Sequence, residues 1–535
     1  MPAPARETKP GTPLTPLPAE GKIGRGAWMA LLAALLGWMF DGFEMGLFPL
    51  VARPALTDLL GPGRSDQVGL WIGIMTAIFL VGAATGGVLF GWLGDRIGRV
   101  RAMTLSVFTY AVFMGLCGIS RDVNEVMVFR FISSLGMGGE WSLGVALVME
   151  IWPNRSRGWL AGLIGAASNV GFLIVAVIGL GLGQVIGSMQ GWLLALGLPE
   201  NWVSYLVLDS SGDPTGWRLL MIFGAAPAVL TFFIRLMVPE SERWLHAKEQ
   251  GGTSAWAARD LLGVAIGALG PMLMIWLWTT DHADVTRPWR IAGSLLGLTM
   301  ALVGYTFPVV RYLQRMQAKD GPSIRMPRHT LARMLLGACL SGVALIGTWA
   351  SLQQAASWAD KLVDTEMQGE PPEVRAAARS EARSYTGIAT AIGAILGTIG
   401  AALLGNASGR RITYTLLCIA SLVAALAFFQ LNSSYGTMFL LGAFLAGGTT
   451  ASFYGWLPLY LPELFSTNVR ATGQGFSFNF GRILAAVGAL QFGYLLTERF
   501  DGDFAKACST MSLVYIAGVV LIWFCPETHG KPLPE

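Results

Sequence analysis

The chain has 535 residues, 53% of them apolar and only 13% charged, with a net charge of +4 and a mean hydropathy of +0.55. A soluble chain of this length carries more charge and less apolar surface, so composition excludes a soluble protein and selects an integral membrane protein. No basic run is interleaved with aromatics in a polar segment, which excludes nucleic acid as a partner.

The first 26 residues are polar and Pro-rich and lack an apolar core with a small-residue cleavage site, so a disordered tail is expected there in place of a signal peptide. A membrane-crossing helix needs about 20 apolar residues. Six such runs follow at 27–52, 68–92, 102–120, 126–151, 158–186 and 217–238. Two more lie at 259–280 and 290–312, and a last six at 333–356, 385–405, 411–430, 436–459, 471–497 and 506–525. The expectation is an all-α membrane protein of fourteen spans: a bundle over 27–238, a linker over 239–332 carrying two extra helices, a second bundle over 333–525 and a tail over 526–535. The semi-apolar stretch 187–215 and the charged stretch 358–384 are expected outside the membrane, the latter as a short surface helix without a chemical motif.

Two short sequences recur. GWLGDRIGRVR (Gly91 to Arg101) separates the second and third spans, and LLGNASGRRITY (Leu403 to Tyr414) holds the same place in the second half. Glu150 precedes Arg157 by the same spacing that separates Glu463 from Arg470. The halves therefore repeat in parallel. Basic loop residues such as Arg96, Arg99, Arg101, Arg155, Arg157, Arg410 and Arg411 all fall on one side, which the positive-inside rule makes cytoplasmic, together with both termini.

At these residues the chain resembles the major facilitator superfamily. The two loop sequences match that superfamily's repeated loop, RFISSLGMGGEWSLG (Arg130 to Gly144) resembles helix 4 of its sugar and organic-acid branches, and VPESERWL and CPETHGKPL resemble the ends of its two halves. Within it, GMGGEW and the two additional central helices resemble the sialate group of the metabolite:proton symporters. The resemblance implies two six-helix bundles related by a pseudo-two-fold axis, with transport by rocking of the halves. Asn406 stands where the second loop copy usually has an acid, which predicts a weak or absent charge latch in that half.

Asp95 among Arg99 and its basic neighbours, with Glu150, Arg157, Arg410, Glu463 and Arg470, is expected to form a cytoplasmic gating cluster. The bland alternative is a set of positive-inside charges. Ionisable residues within spans are expensive and functional by default. Asp41 and Glu44, on one face of the first span, with Arg130 and Glu140 in the fourth, are the expected proton-coupling set. The resemblance places Glu44 opposite Arg130, as in proton-coupled sugar porters, and the Asp-Gly-Phe-Glu run resembles aromatic-acid:proton symporters. A permanent structural pair is the competing reading.

Arg482 and its repeat mate Asn169 both lie about 18 Å into their helices, at the depth where transporters bind substrate. An Arg fork suits a substrate carboxylate; neutralising a helix acid internally is the competing role for Arg482. Gln353, Gln354, Asn479 and Tyr454 are the remaining polar candidates for substrate binding, with helix packing or interfacial anchoring as the competing reading of each. The five cysteines and four histidines form no metal or disulfide pattern, no nucleophile faces a base, and neither an enzyme nor a cofactor is expected. These residues point to a monomeric bacterial inner-membrane transporter importing a small organic acid, such as a sialic acid or other carboxylate, with protons. A neutral-sugar symporter or a proton-driven exporter is the alternative, and a non-transporting sensor lacks the large signalling tail it would need.

Overall fold

The computed structural model describes residues 24–209, 212, 214–279, 287–320 and 327–534, and the tail expected over 1–26 lies almost wholly outside them. The first half comprises α1 (Arg25–Leu60), α2 (Val68–Ile97), α3 (Arg99–Cys117), α4 (Val123–Ile151), α5 (Arg157–Ala195), α6 (Glu200–Val207), α7 (Trp217–Phe223) and α8 (Pro227–Met237). Then come α9 (Glu242–Glu249) and the extra pair, α10 (Leu261–Thr279) and α11 (Arg287–Asp320). The second half comprises α12 (Pro327–Trp349), α13 (Ala355–Glu366), α14 (Pro372–Ser408), α15 (Arg410–Leu431), α16 (Thr437–Ala451), α17 (Phe453–Tyr460), α18 (Arg470–Tyr494), α19 (Phe504–Ser512) and α20 (Val514–Leu521).

Thirteen helices among the described residues are long and apolar enough to cross a membrane. The expected span at 217–238 is present as two shorter helices, α7 and α8. Pro227 begins α8 and cannot donate a backbone hydrogen bond, and the chain before it tightens into three-residue turns, Ala225 N–H to Ile222 O and Ala226 N–H to Phe223 O. The architecture is two six-helix bundles in pseudo-two-fold relation with two extra helices at their junction.

The charged stretch 358–384 differs from the short surface helix expected. It forms the outer part of α13 and the first turns of α14, an antiparallel corner braced by Arg379 against Asp360 and by Arg375 against Asp364. The extra pair is no loose appendage. The Tyr305 and Thr85 hydroxyls are 2.8 Å apart, joining α11 to α2, and Val264, Ala268, Ala301 and Tyr305 share one core with Ala84 and Val88.

Each repeated loop turns at a glycine with positive φ, Gly98 at 114° and Gly409 at 91°, a region that a side chain rarely adopts. Beside each turn an acid from the end of the same half receives the exposed N–H groups of the next helix. Glu240 accepts from Arg99 and Val100, and Glu527 accepts from Arg410 and Arg411. The repeat thus extends to Pro239-Glu240-Ser241 and Pro526-Glu527-Thr528, where Ser241 donates to Glu150 and Thr528 to Glu463.

Candidate functional site

Inside the first bundle, α1 and α4 bring buried ionisable groups together. Arg130 Nη1 donates to Glu44 Oε1 at 2.8 Å, both side chains being almost wholly buried. The guanidinium lies 3.4 Å from the Phe48 ring centroid and 5.1 Å from that of Phe79, so aromatic faces complete its shell.

One helical turn away a second group forms. Gly37 has no side chain, and a Cβ there would meet Glu140 Oε1 at 1.6 Å, so the Glu140 carboxylate rests against the backbone of α1. Asp41, four residues on and fully buried, lies on the same face of α1 and within hydrogen-bonding reach of Glu140. None of the four carboxylate oxygens receives a donor from the described residues. Two ionised carboxylates offer each other only acceptors; a proton on one would turn the contact into a hydrogen bond. Arg482 of α18 is the cation beside Asp41, with Tyr454 of α17 and Glu44 also within its electrostatic reach. Its Nη1 is buried without a partner.

The side of this cluster toward Asp95 is walled by rings. Trp141 of α4 stacks on Phe478 of α18 at 3.9 Å, and Trp38 of α1 lies 6.2 Å from both. The cavity left beside Glu140 is only about 10 Å³, room for about one water. The centre is therefore closed around its charges.

Toward the end where the repeated loops lie, α18 is bonded to the first half at successive levels. Asn479 Nδ2 donates to Gly138 O at 3.0 Å and Gln474 donates to Ser142 O. Asp95 then receives Thr472 Oγ1 at 2.6 Å, Thr472 N at 2.9 Å and Ala471 N at 3.2 Å, capping the first turn of α18 from the opposite half. Glu150 takes Arg470 at 2.7 Å and Arg99 at 3.1 Å, while Arg99 also holds Asp95 at 2.8 Å and donates to Thr467 O at 2.7 Å.

The second repeat keeps its inner pair but not the cross-half clasp. Arg410 pairs with Glu463 at 2.5 Å, yet Asn406 packs against Gly158, and Arg157 is buried with Nε and Nη2 unpartnered. Other candidates are dispersed. Asn169 donates to Gly165 O of its own helix, Gln354 donates to Trp349 O at the break between α12 and α13, and Gln353 is exposed there.

Sequence reasoning missed several members of these clusters. Glu240, Ser241, Glu527 and Thr528 carried a signal, the repeated Pro-Glu-Ser/Thr, visible once the two ends of the halves are aligned. Thr472 and Gln474 sit two and four residues past Arg470 and carry none. The aromatic wall of Trp38, Trp141 and Phe478 comes from three helices and has no sequence signature.

A family described as sugar (and other) transporter matches residues 29–261 and 343–535. The chain belongs to that family. The match omits most of the extra helix pair. Among relatives, the transporter is 26% identical over 499 residues to a protein of Cupriavidus pinatubonensis named as a probable 4-methylmuconolactone transporter, covering 93% of this chain and 90% of that one. It is 28% identical over 219 residues to the sialic acid transporter NanX of Escherichia coli, covering 41% and 45% of the two chains. The major facilitator proton:xylose symporter XylE, solved with 6-bromo-6-deoxy-D-glucose, superposes with a TM-score of 0.60 at 18% identity, covering 95% of this chain and 98% of XylE. Membership makes the protein a multi-pass membrane transporter of small molecules and not an enzyme.

Proposed function

We propose that the transporter imports a small carboxylate, such as a sialic acid or another organic acid, together with protons by alternating access. In this reading it works as a monomer in a bacterial inner membrane with both termini cytoplasmic. The bundles over 27–238 and 333–525 move against each other, and the linker over 239–332 carries the extra pair. The observation that carries the proposal is a charge count. Among the described residues, the cations that Asp41, Glu44 and Glu140 face in one buried region are Arg130 and Arg482. Glu44 and Arg130 offset one another's charge as an ion pair, which leaves two facing carboxyls for one guanidinium. Leaving the surplus negative charge unpaired would cost several kcal/mol, so one carboxyl holds a proton while the centre is closed.

An arriving carboxylate would compete with Asp41 for Arg482, whose Nη1 is open to a second bond. Displaced from Arg482, Asp41 then gains a proton more readily. Release of the substrate requires the contacts of Asp95, Ser142 and Glu150 with α18 to part. The neutral-sugar alternative has one amide fewer to draw on, since Asn479 is occupied by Gly138 and Gly475. The two relatives named for 4-methylmuconolactone and sialic acid also favour an acid, because both compounds bear a carboxylate.

The test is a screen of purified protein for thermal stabilisation by organic acids and sugars, followed by uptake into proteoliposomes driven by a pH gradient with sodium absent. Carboxylates should stabilise the wild type and not Arg482→Ala, and the gradient should drive their accumulation. Stabilisation by neutral sugars alone, or uptake indifferent to the pH gradient, would overturn the reading.

A further inference from the structure

A cavity of about 520 Å³ opens at the end of the bundles opposite to Asp95, lined by Arg53 of α1, Ser357 and Asp360 of α13, and Arg379 and Arg383 of α14. Both halves contribute to it. Three guanidiniums face one carboxylate, a net charge of +2. The basic wall is built and braced: Arg379 makes a two-pronged contact with Asp360 at 2.7 and 3.2 Å and also reaches Asp364 at 3.2 Å, while Arg383 lies 3.5 Å from Asp360. Asp364 is shared in turn with Arg375 at 3.2 Å. Arg53 is exposed and enters none of the ion pairs formed among the described residues. The α13–α14 corner, which carries no other chemistry, supplies four of the five lining residues.

We infer that this cavity is a vestibule that concentrates small carboxylate anions before they pass to Arg482. The inference rests on the carboxylate reading above for its cargo, but not for its electrostatics. A basic mouth raises local anion concentration and on-rate without needing tight binding, and the effect fades with salt. Cations are disfavoured by the same field. A polyhydroxylated neutral molecule gains nothing from it.

The field can be read without knowing the transported substrate. Ser357, exposed in the cavity wall, is replaced by Cys in the full chain and labelled in detergent with sulfonate-bearing and trimethylammonium-bearing methanethiosulfonate reagents, each rate being normalised to a free small thiol. A net charge of two at about 7 Å, lightly screened, favours the anionic over the cationic reagent by roughly tenfold or more. The ratio should collapse in high salt, fall to about its square root with Arg53→Gln, and recover with Arg53→Lys. Citrate should slow labelling relative to sodium chloride of equal ionic strength. A ratio at or below one, or a ratio unchanged by Arg53→Gln, would overturn the inference. Arg482→Ala separates the two readings: the labelling ratio should persist in that variant, whereas carboxylate stabilisation should be lost if the central-site proposal holds.

Discussion

Replacing Asp95 with Asn changes one atom and almost no volume, so its effect reports electrostatics at the seam between the halves. In the closed form Asp95 Oδ2 receives both the N–H and the hydroxyl of Thr472, and Oδ1 receives Ala471 N–H, all from α18. Its bond with Arg99 lies within the first half and survives opening; only the contacts with α18 are lost when the halves part. An Asn can keep its oxygen toward Thr472, but those bonds lose their charge assistance, and the new NH2 group then meets the donating N–H of Ala471. Hydrogen bonds to a charged group are worth about 1.5–3 kcal/mol each, and neutral ones roughly half as much. The net loss is about 2–3 kcal/mol, or about 30- to 150-fold in the ratio of closed to open forms. The variant would also give both repeats Asn at this position, since Asn406 is the natural mate. Spin labels at the exposed Arg101 and Ala407 would measure the separation of the two halves at this end. A longer-distance population should appear in Asp95→Asn without substrate, and uptake should fall while insertion and yield stay normal. A distance distribution identical to wild type would refute the reasoning.

Asp41→Asn should abolish accumulation driven by a pH gradient while preserving counterflow, because Asn mimics the protonated acid beside Arg482; accumulation at the wild-type rate would remove Asp41 from the coupling. Tyr305→Phe should lower stability by about 1 kcal/mol through loss of the buried bond to Thr85 and leave substrate-dependent stabilisation intact, as read from thermal shifts with and without ligand. Burial alone would raise the Glu527 carboxyl, but backbone N–H groups of Arg411, Arg410, His529 and Thr528 outweigh it and hold the group below its ordinary value. A depressed acid stabilises the fold at pH values above its unfolded value and loses that contribution as pH falls through the folded one. Melting profiles of Glu527→Gln should therefore converge on wild type in acid and lie below it near neutrality; a constant gap across pH would contradict this account.

The span count and both loop clusters were legible because they depend on local signals: long apolar runs, and charges held at fixed spacing in a repeat. Asp95, Arg99, Glu150 and Arg470 meet as the duplication implies, and Asn406 lacks a matching clasp for the reason visible in the sequence. Depth was less informative than facing. Counting residues put Asn169 level with Arg482, but one amide turns to its own helix while the guanidinium turns to Asp41. That Gln353 and Gln354 stand at a break was not legible: α12 stops at Trp349 and the chain leaves helical geometry at Ser351, with φ −128° and ψ −82°. The pairing of Asp41 with Glu140 depends on Gly37 leaving a gap, a contact between distant positions that no single segment announces.

The two extra helices lie across the seam, with α10 packed along α2 of the first bundle and α11 only lightly touching α12 and α18 of the second. Their hydroxyl bridge, from Tyr305 to Thr85, belongs to the first-bundle side. If the bundles rock, the weaker boundary slips, so the pair rides as a passenger on the first half. Its lipid-facing surface then becomes an outrigger that widens one half of the machine, and lipids packed against Leu262, Ile266 and Leu295 would move with that half and drag on its rotation.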